Sequence, residues 1–177
     1  MTMHTTKPIG SMDIVYALEQ VRKEDVPSIF LAGPTPRSKD VPSWRPEAIR
    51  AFEELGFEGN LFVPEPRDGK FTSDYYNQIE WELDHIDKAH VVMFWIPRDL
   101  ETMPGFTTNV EFGLLVRDMS KVLALGHPED APKMRYLDAL YAKYRNGSVP
   151  PNTVQRTCEL VKGTAEYVHG CKVRNST

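Results

Sequence analysis

The chain is predicted to be an α/β protein, with a parallel sheet covered by helices on both faces. Short apolar runs alternate with segments of helical periodicity along most of the 177 residues, and this alternation is typical of parallel strands joined by right-handed crossovers. The run at 91–96 is apolar at every position, as expected for a strand that is covered on both faces. A chain of this length can bury one sizeable core.

The first third of the chain is expected to contribute two or three strands and one helix. Ser28 to Ala32 is an apolar run closed by Gly33-Pro34, which predicts a buried strand followed by a sharp turn. Ser43 can cap a helix whose apolar residues recur at helical spacing until a glycine ends it. Residues 61–63 form another strand, whereas residues 13–21 fit either a strand or a helix.

Two further helices are expected on either side of the strand at 91–96, the first beginning at Ser73 or Asp74 and the second capped by Thr107 or Thr108. Both should turn an apolar stripe towards the sheet. The expected stripes are Tyr76, Ile79, Leu83 and Ile86 in the first helix and Val110, Leu114 and Leu115 in the second. A strand at 121–125 and helices at 134–144 and 153–168 complete the alternation.

The composition favours a small-molecule partner over a nucleic acid or a membrane. The formal net charge of −4 provides no basic surface for a polyanion, and the apolar runs are far shorter than a membrane span. Cys158 and Cys171 lack the spacing and histidine neighbours of a metal site, so no metal and no disulfide framework are expected. Residues 1–12 lack the apolar core of a signal peptide. We expect them to be a disordered tail or a cloning remnant, with 13–177 as one cytoplasmic domain.

Glu111 is the first candidate for chemistry. It follows the strand at 91–96 and stands near the start of a predicted helix, where ligands bind in open α/β sheets. The positive end of the helix dipole would hold its carboxylate ionised, and the free N–H groups there could bind substrate hydroxyls or a phosphate. The alternative is a capping box, in which the Glu111 side chain returns to the backbone of Thr108. The pattern is equally consistent with both.

Glu82 is the second candidate carboxylate. It shares a helix face with Tyr75 and Gln78 and follows Trp81, an aromatic residue of the kind that walls base-binding pockets. An isolated glutamate on a helix is more often solvated, and Glu80 is a rival carboxylate. Two glutamates that converge on one cleft would suit glycosidic-bond chemistry, in which one attacks or stabilises the anomeric carbon and the other handles the leaving group's proton.

The turn Gly33-Pro34-Thr35-Pro36-Arg37 is a third candidate element. It contains neither the GxGxxG pattern of dinucleotide sites nor the Gly-Lys-Ser/Thr of a phosphate-binding loop. Gly33 would allow the backbone to approach a ligand closely. Arg37 and Arg45 could each bind a phosphate or carboxylate through two hydrogen bonds, although either arginine taken singly is expected to be solvated.

The chain resembles the nucleoside 2-deoxyribosyltransferase-like family from about Val15 to Asp138, because a set of modest motifs falls in that family's order. The motifs are FLAGPTPR at 30–37, SWRP at 43–46, VPE at 63–65, WE at 81–82, FWIPR at 94–98 and TTNVEFG at 107–113. The resemblance implies a Rossmann-like or flavodoxin-like three-layer sandwich with about five parallel strands. It also implies that no cofactor is used, and that the protein is a homodimer or larger, with a neighbouring subunit closing the pocket.

The same resemblance implies cleavage of the N-glycosidic bond of a nucleoside or nucleoside monophosphate, with transfer of the (deoxy)ribosyl group to another base or to water. Glu111 takes the place of the nucleophile, and Glu82 stands where relatives usually have an aspartate. The alternative is a nucleotide-binding or sensing module without turnover, since a fold does not dictate its chemistry. The expected substrate-binding residues are Gly33, Pro34, Thr35, Arg37, Trp44, Gln78, Trp81, Thr108 and Asn109.

Overall fold

The computed structural model describes residues 11–70, 75–146 and 148–175. The expectation of a tail at 1–12 therefore lies outside the described residues, apart from Ser11 and Met12. The expected helix start at Ser73 or Asp74 also lies outside them.

Five parallel strands form one sheet, which confirms the predicted α/β fold. They are β1 Asp13–Tyr16, β2 Ser28–Ala32, β3 Asn60–Val63, β4 Val91–Trp95 and β5 Leu123–Gly126. Their order across the sheet is β1-β3-β2-β4-β5, and every neighbouring pair is parallel. The segment at 13–21 thus begins as an edge strand, and the apolar runs at 28–32 and 91–95 lie side by side in the centre.

The described residues form five helices, which cover both faces of the sheet. They are α1 Arg45–Glu54, α2 Tyr75–Lys88, α3 Phe106–Leu115, α4 Arg135–Tyr144 and α5 Val154–Asn175. Alternate residues of β2 point to opposite faces: Ile29 and Leu31 pack with α1 and α5, whereas Phe30 and Ala32 pack with α2, α3 and α4. The result is the expected α/β/α sandwich with two separate layers of core.

Helix α2 buries only part of the predicted stripe. Ile86 is buried as predicted, but Tyr76 and Leu83 are exposed, and the other buried side chains are Trp81 and His85. The Trp81 and His85 rings stack with centroids 4.0 Å apart, and this aromatic pair fills the space beneath the helix. The prediction failed because it counted only aliphatic and tyrosine positions and gave no weight to a buried histidine.

Helix α3 also differs from the prediction, both in its start and in its buried face. It begins at Phe106, after Gly105 at the N-cap, and Gly105 has a left-handed backbone with φ 66°. Thr107 and Thr108 therefore lie inside the first turn and are not caps. Thr108 and Phe112 are the buried residues of this helix, whereas Val110 and Leu114 are exposed.

Candidate functional site

A cavity of about 340 Å³ lies at the carboxyl ends of β2 and β4. The chain runs from β2 to β3 on one side of the sheet and then crosses to β4 on the other side. Such a reversal of direction leaves a crevice between the two strand ends, and open α/β sheets bind their ligands there. Most of the residues expected at the site line this cavity: Gly33, Pro34, Thr35, Arg37, Gln78, Glu82, Thr108 and Glu111.

Three residues expected to bind substrate are not among the lining residues. Trp44 is buried behind the β2 turn, where its indole N–H donates to the carbonyl of Pro34 at 3.1 Å. Trp81 stacks on a histidine and donates to a carbonyl in the segment after β1. The side-chain oxygen of Asn109 accepts a hydrogen bond from Arg98. The geometry therefore assigns these three residues to the support of the site and not to its lining.

The loop before α3 contributes lining residues that the sequence did not single out. Pro104, Gly105 and Phe106 form part of the wall, and Tyr75 lies opposite them at the start of α2. Pro-Gly at the end of a loop that follows a central strand is the sequence signal that could have indicated this wall, because such loops surround the crevice. Tyr75 shares the helix face of Glu82, as expected from its spacing.

The β2 turn requires glycine at position 33 for its packing, apart from the predicted close approach to a ligand. Gly33 has φ 152°, and a Cβ atom there would lie 2.2 Å from the carbonyl oxygen of Trp95 and 2.8 Å from the Trp44 ring. The close approach that the missing side chain permits is thus to the end of β4 and to an indole. The turn is pressed against both, and this places Pro34 and Thr35 at the cavity.

Glu111 is the sixth residue of α3 and lies in its second turn. This position excludes the capping box, because the third helical residue is Thr108 and the N-cap is a glycine. Thr108 and Glu111 are three residues apart and both line the cavity. The pKa of Glu111 is raised to about 7, chiefly by burial and in addition by the charge of Glu82, whereas the charge of Arg45 acts in the opposite direction. Burial of the carboxyl group thus opposes the ionisation that was expected for a position at the helix start.

Glu82 lies across the same cavity on α2. The side-chain amide of Gln78, one turn earlier, donates to its carboxylate at 2.9 Å. Burial raises the pKa of Glu82, whereas the hydrogen bond from Gln78 and the charge of Arg45 act in the opposite direction. Two carboxyl groups that repel one another in a desolvated cavity titrate as a pair. Each carboxyl group of the pair is therefore protonated more readily than a solvated glutamate.

The two arginines at the cavity have different surroundings. Arg37 is exposed, as expected, and its guanidinium lies 5.3 Å from the centre of the Phe106 ring. Arg45 was expected to be solvated, and this is wrong: it is only 1% exposed and pairs with Glu65 at 2.6 Å. The cavity thus has one exposed cation, Arg37, and one buried cation, Arg45.

Metal-ion clusters, disulfide bonds and membrane-spanning helices are all absent from the described part of the chain. Across 11–70, 75–146 and 148–175, no three His, Cys, Asp or Glu residues are grouped to hold a metal ion. Both cysteines are free thiols. No described helix combines the length and apolar character needed to cross a bilayer.

The family model described as "Nucleoside 2-deoxyribosyltransferase like" matches residues 26–129, more than half of the chain. The chain belongs to the nucleoside 2-deoxyribosyltransferase-like family. The match spans β2 to β5 with helices α1 to α3, and so includes every segment that lines the cavity. No curated protein matches the chain significantly. Membership of the nucleoside 2-deoxyribosyltransferase-like family confirms the resemblance and indicates a small nucleoside-type substrate.

Proposed function

We propose that the protein cleaves the N-glycosidic bond of a nucleoside or nucleoside monophosphate and passes the (deoxy)ribosyl group to another base or to water. The observation that carries this proposal is the pair of glutamates, Glu82 and Glu111, on two different helices that line one cavity at the switch point of the sheet. Burial raises the pKa of both carboxyl groups. Pairs of carboxyl groups whose environments alter their pKa values are typical of acid–base and nucleophilic chemistry.

The reactive form of the pair has Glu111 ionised and the proton on Glu82, although burial favours the protonated form of Glu111 in the free protein. In the first step an ionised oxygen of Glu111 bonds to C1′ while the bond from C1′ to the base nitrogen breaks. The electron pair of that bond goes to the base, which takes the proton held by Glu82. The transition state resembles an oxocarbenium ion, so a carboxylate beside it stabilises it more than the neutral ground state. In the second step a water or a second base attacks C1′, its proton passes to Glu82, and the Glu111 ester is released.

The assignment of Glu111 can be tested by measuring base release from a panel of nucleosides and monophosphates by liquid chromatography. We expect Glu111→Gln to lose at least about a thousandfold in kcat/KM, as removal of a nucleophile usually does. Glu80→Gln is the matched control, because Glu80 is exposed on α2 and should retain activity. A Glu111→Gln protein with full turnover would refute the mechanism.

The role of Glu82 predicts a dependence on the leaving group. Glu82→Gln should lose about 10²–10⁴-fold with natural bases, the usual contribution of a general acid. The loss should be much smaller with a 4-nitrophenyl riboside, because nitrophenolate departs without a proton. Equal losses with both leaving groups would show that Glu82 does not donate the proton.

Addition of a second free base separates transfer from hydrolysis. Only a transferase accumulates the exchanged nucleoside, whereas a hydrolase releases free sugar in both cases. Tight binding of a nucleotide with no base release over long incubation would instead identify a binding module.

We also propose that the protein is a homo-oligomer that uses the outer face of α3. Phe106, Val110 and Leu114 recur at every fourth residue and are 69%, 63% and 70% exposed, which makes an apolar stripe along one helix. Phe106 also lines the cavity, so a second copy seated on this stripe would lie at the cavity mouth. Light scattering after chromatography should show a dimer or larger species, and Val110→Glu with Leu114→Glu should yield a monomer.

A further inference from the structure

Arg45 has no part in the bond-making steps, yet it is the largest fully buried side chain among the described residues. It is the first residue of α1 and one of the residues that line the cavity. A buried arginine is costly unless nearly every donor finds a partner. The identity of these partners therefore indicates what the residue does.

Three of the hydrogen bonds of Arg45 go to the end of β2 and the turn that follows it. Its Nε donates to the carbonyl of Leu31 at 3.2 Å, one Nη donates to the carbonyl of Gly33 at 2.8 Å, and the other donates to the hydroxyl oxygen of Thr35 at 3.2 Å. The planar guanidinium thus spans the turn that forms one wall of the cavity. Because Thr35 accepts here, its hydroxyl hydrogen is free to donate to a ligand.

The fourth partner of Arg45 is Glu65, which follows β3. Its carboxylate accepts from Arg45 at 2.6 Å and from the hydroxyl of Ser43 at 2.9 Å. Arg45 therefore pairs with one carboxylate and lines the cavity together with Glu82 and Glu111. Its positive charge lowers the pKa of both catalytic candidates, against the effect of their burial.

The charged and titratable groups around the cavity come from every element that encloses it. Arg37 lies after β2, Arg45 begins α1, Glu65 follows β3, Tyr75 and Glu82 belong to α2, and Glu111 belongs to α3. Arg37 is exposed at the rim, where solvent and salt screen its charge. Arg45 is the buried cation of this group, so its effect on the carboxyl pair is screened least.

We propose that Arg45 is a positioning residue for the reaction: it holds the turn that carries Thr35 against the cavity, and its charge lets the Glu82–Glu111 pair lose one of its two protons. Glu65 moderates that charge. The inference rests on the proposed function, because a pair that keeps both protons contains no nucleophile. According to this inference, the buried Arg45–Glu65 pair sets the pH at which the site becomes active.

The test measures the pH titration of Glu111 in the wild type and in Glu65→Gln, Arg45→Met and Arg45→Lys. The titration is followed by carbon NMR of protein labelled at the glutamate carboxyl carbons. The Glu111 resonance is assigned as the one that is missing from the spectrum of Glu111→Gln. Glu65→Gln keeps an oxygen that accepts from Arg45 but removes its negative charge, so Glu111 should titrate at a lower pH, by about half a unit or more. Arg45→Met should move the titration upwards by about one unit, as loss of a nearby opposite charge does.

Arg45→Lys separates charge from geometry. It keeps the charge, so the titration of Glu111 should stay near that of the wild type. A single ammonium group cannot hold Gly33 and Thr35 together as a guanidinium does, and kcat/KM should fall about tenfold through KM. A lysine variant with unchanged kinetics would show that the turn does not depend on Arg45.

Two outcomes overturn the inference. The first is that Glu111 in Glu65→Gln titrates at the same pH as in the wild type or at a higher pH. This result would overturn the inference even if Arg45→Met does not fold. The second is an Arg45→Met protein that folds and titrates like the wild type. The NMR titration needs no turnover, so a wild-type protein that releases no base refutes the proposed function while the role of Arg45 is still decided. Base release with unshifted titrations refutes only the role of Arg45.

Discussion

Replacement of Glu111 by glutamine should stabilise the folded protein at alkaline pH and leave it nearly unchanged at acidic pH. In the folded state burial raises the pKa of this carboxyl from its ordinary 4.5 to about 7. A carboxyl whose pKa rises on folding favours the folded state when it is protonated. That contribution is complete below pH 4.5 and is lost as the pH rises through about 7, because the folded state must then keep a charge in a desolvated cavity.

The size of the effect follows from the same two pKa values. The difference between about 7 and 4.5, at about 1.36 kcal/mol per unit, amounts to about 3 kcal/mol. Most of it, about 2.5 kcal/mol, should develop between pH 5 and pH 8. Glutamine is neutral at every pH and has nearly the same shape, so the glutamine variant escapes this loss. A change of this size is a large fraction of the stability of a typical domain.

The assay is urea unfolding followed by tryptophan fluorescence and circular dichroism at pH 5, 6, 7 and 8 and constant ionic strength. With a slope of about 2 kcal/mol per molar urea, the midpoint of Glu111→Gln should exceed that of the wild type by more than about 1 M at pH 8. Glu80→Gln controls for the loss of one negative charge from an acidic chain. In Glu82→Gln, the part of the unfolding free energy that depends on the ionisation of Glu111 should change less with pH, because the repulsion between the two carboxylates is gone.

A difference between Glu111→Gln and wild type that is the same at pH 5 and pH 8 would refute the reasoning. It would mean that solvent reaches the Glu111 carboxylate in the folded protein as well as in the unfolded chain. A difference that narrows with rising pH would show that a positive group dominates the cavity and that the pKa of Glu111 is lowered on folding.

Three further predictions test the surroundings of the site. Gly33→Ala should destabilise the protein by about 2–4 kcal/mol in thermal or urea unfolding, because the added methyl group would lie 2.2 Å from a backbone carbonyl oxygen. The control is Gly163→Ala, where the added methyl group meets open space on α5. This control variant should be neutral or should stabilise the protein by up to about 1 kcal/mol. Gln78→Leu should raise the pKa of Glu82 by removing a hydrogen bond to its ionised form, and the alkaline limb of kcat/KM should move upwards by about one pH unit; an unmoved limb would deny Gln78 that role. Cys158 is fully buried and its pKa is raised to about 12, so a thiol reagent should modify it only at the rate of unfolding; rapid modification in the native protein would contradict the packing of α5 against α1.

Local patterns were sufficient for the strands and for the place of the site. A strand covered on both faces is expected to be almost entirely apolar, and this holds for 29–32 and 91–95. The turn residues that follow β2 mark its end without reference to any distant part of the chain. The carboxyl ends of parallel strands share one edge of the sheet, so the segments after β2 and β4 could be expected to meet, and Glu111 could be expected near Gly33.

The rotation of the helices depended on contacts that no local pattern contains. Val110 and Leu114 are apolar at helical spacing and yet exposed, because α3 starts at Phe106 after a left-handed Gly105 and buries Thr108 and Phe112. If the first residue of a helix is predicted wrongly by one or two positions, the predicted buried face is rotated by a large angle, because each residue turns the helix by about 100°. The apolar stripe left outside by that rotation is the surface that we propose for a second copy of the chain.

The sequence by itself determined the order of the elements and the family and indicated two candidate glutamates, because spacing and turn chemistry act between neighbours in the chain. Only the tertiary structure decided the surroundings of the charged groups. Arg45 is buried because Leu31, Thr35 and Glu65, distant from it in sequence, provide acceptors for its guanidinium. The pKa of Glu111 follows from its burial and from the charges of Glu82 and Arg45. Electrostatic energies depend on distance and desolvation in space, and neither quantity can be obtained from the sequence alone.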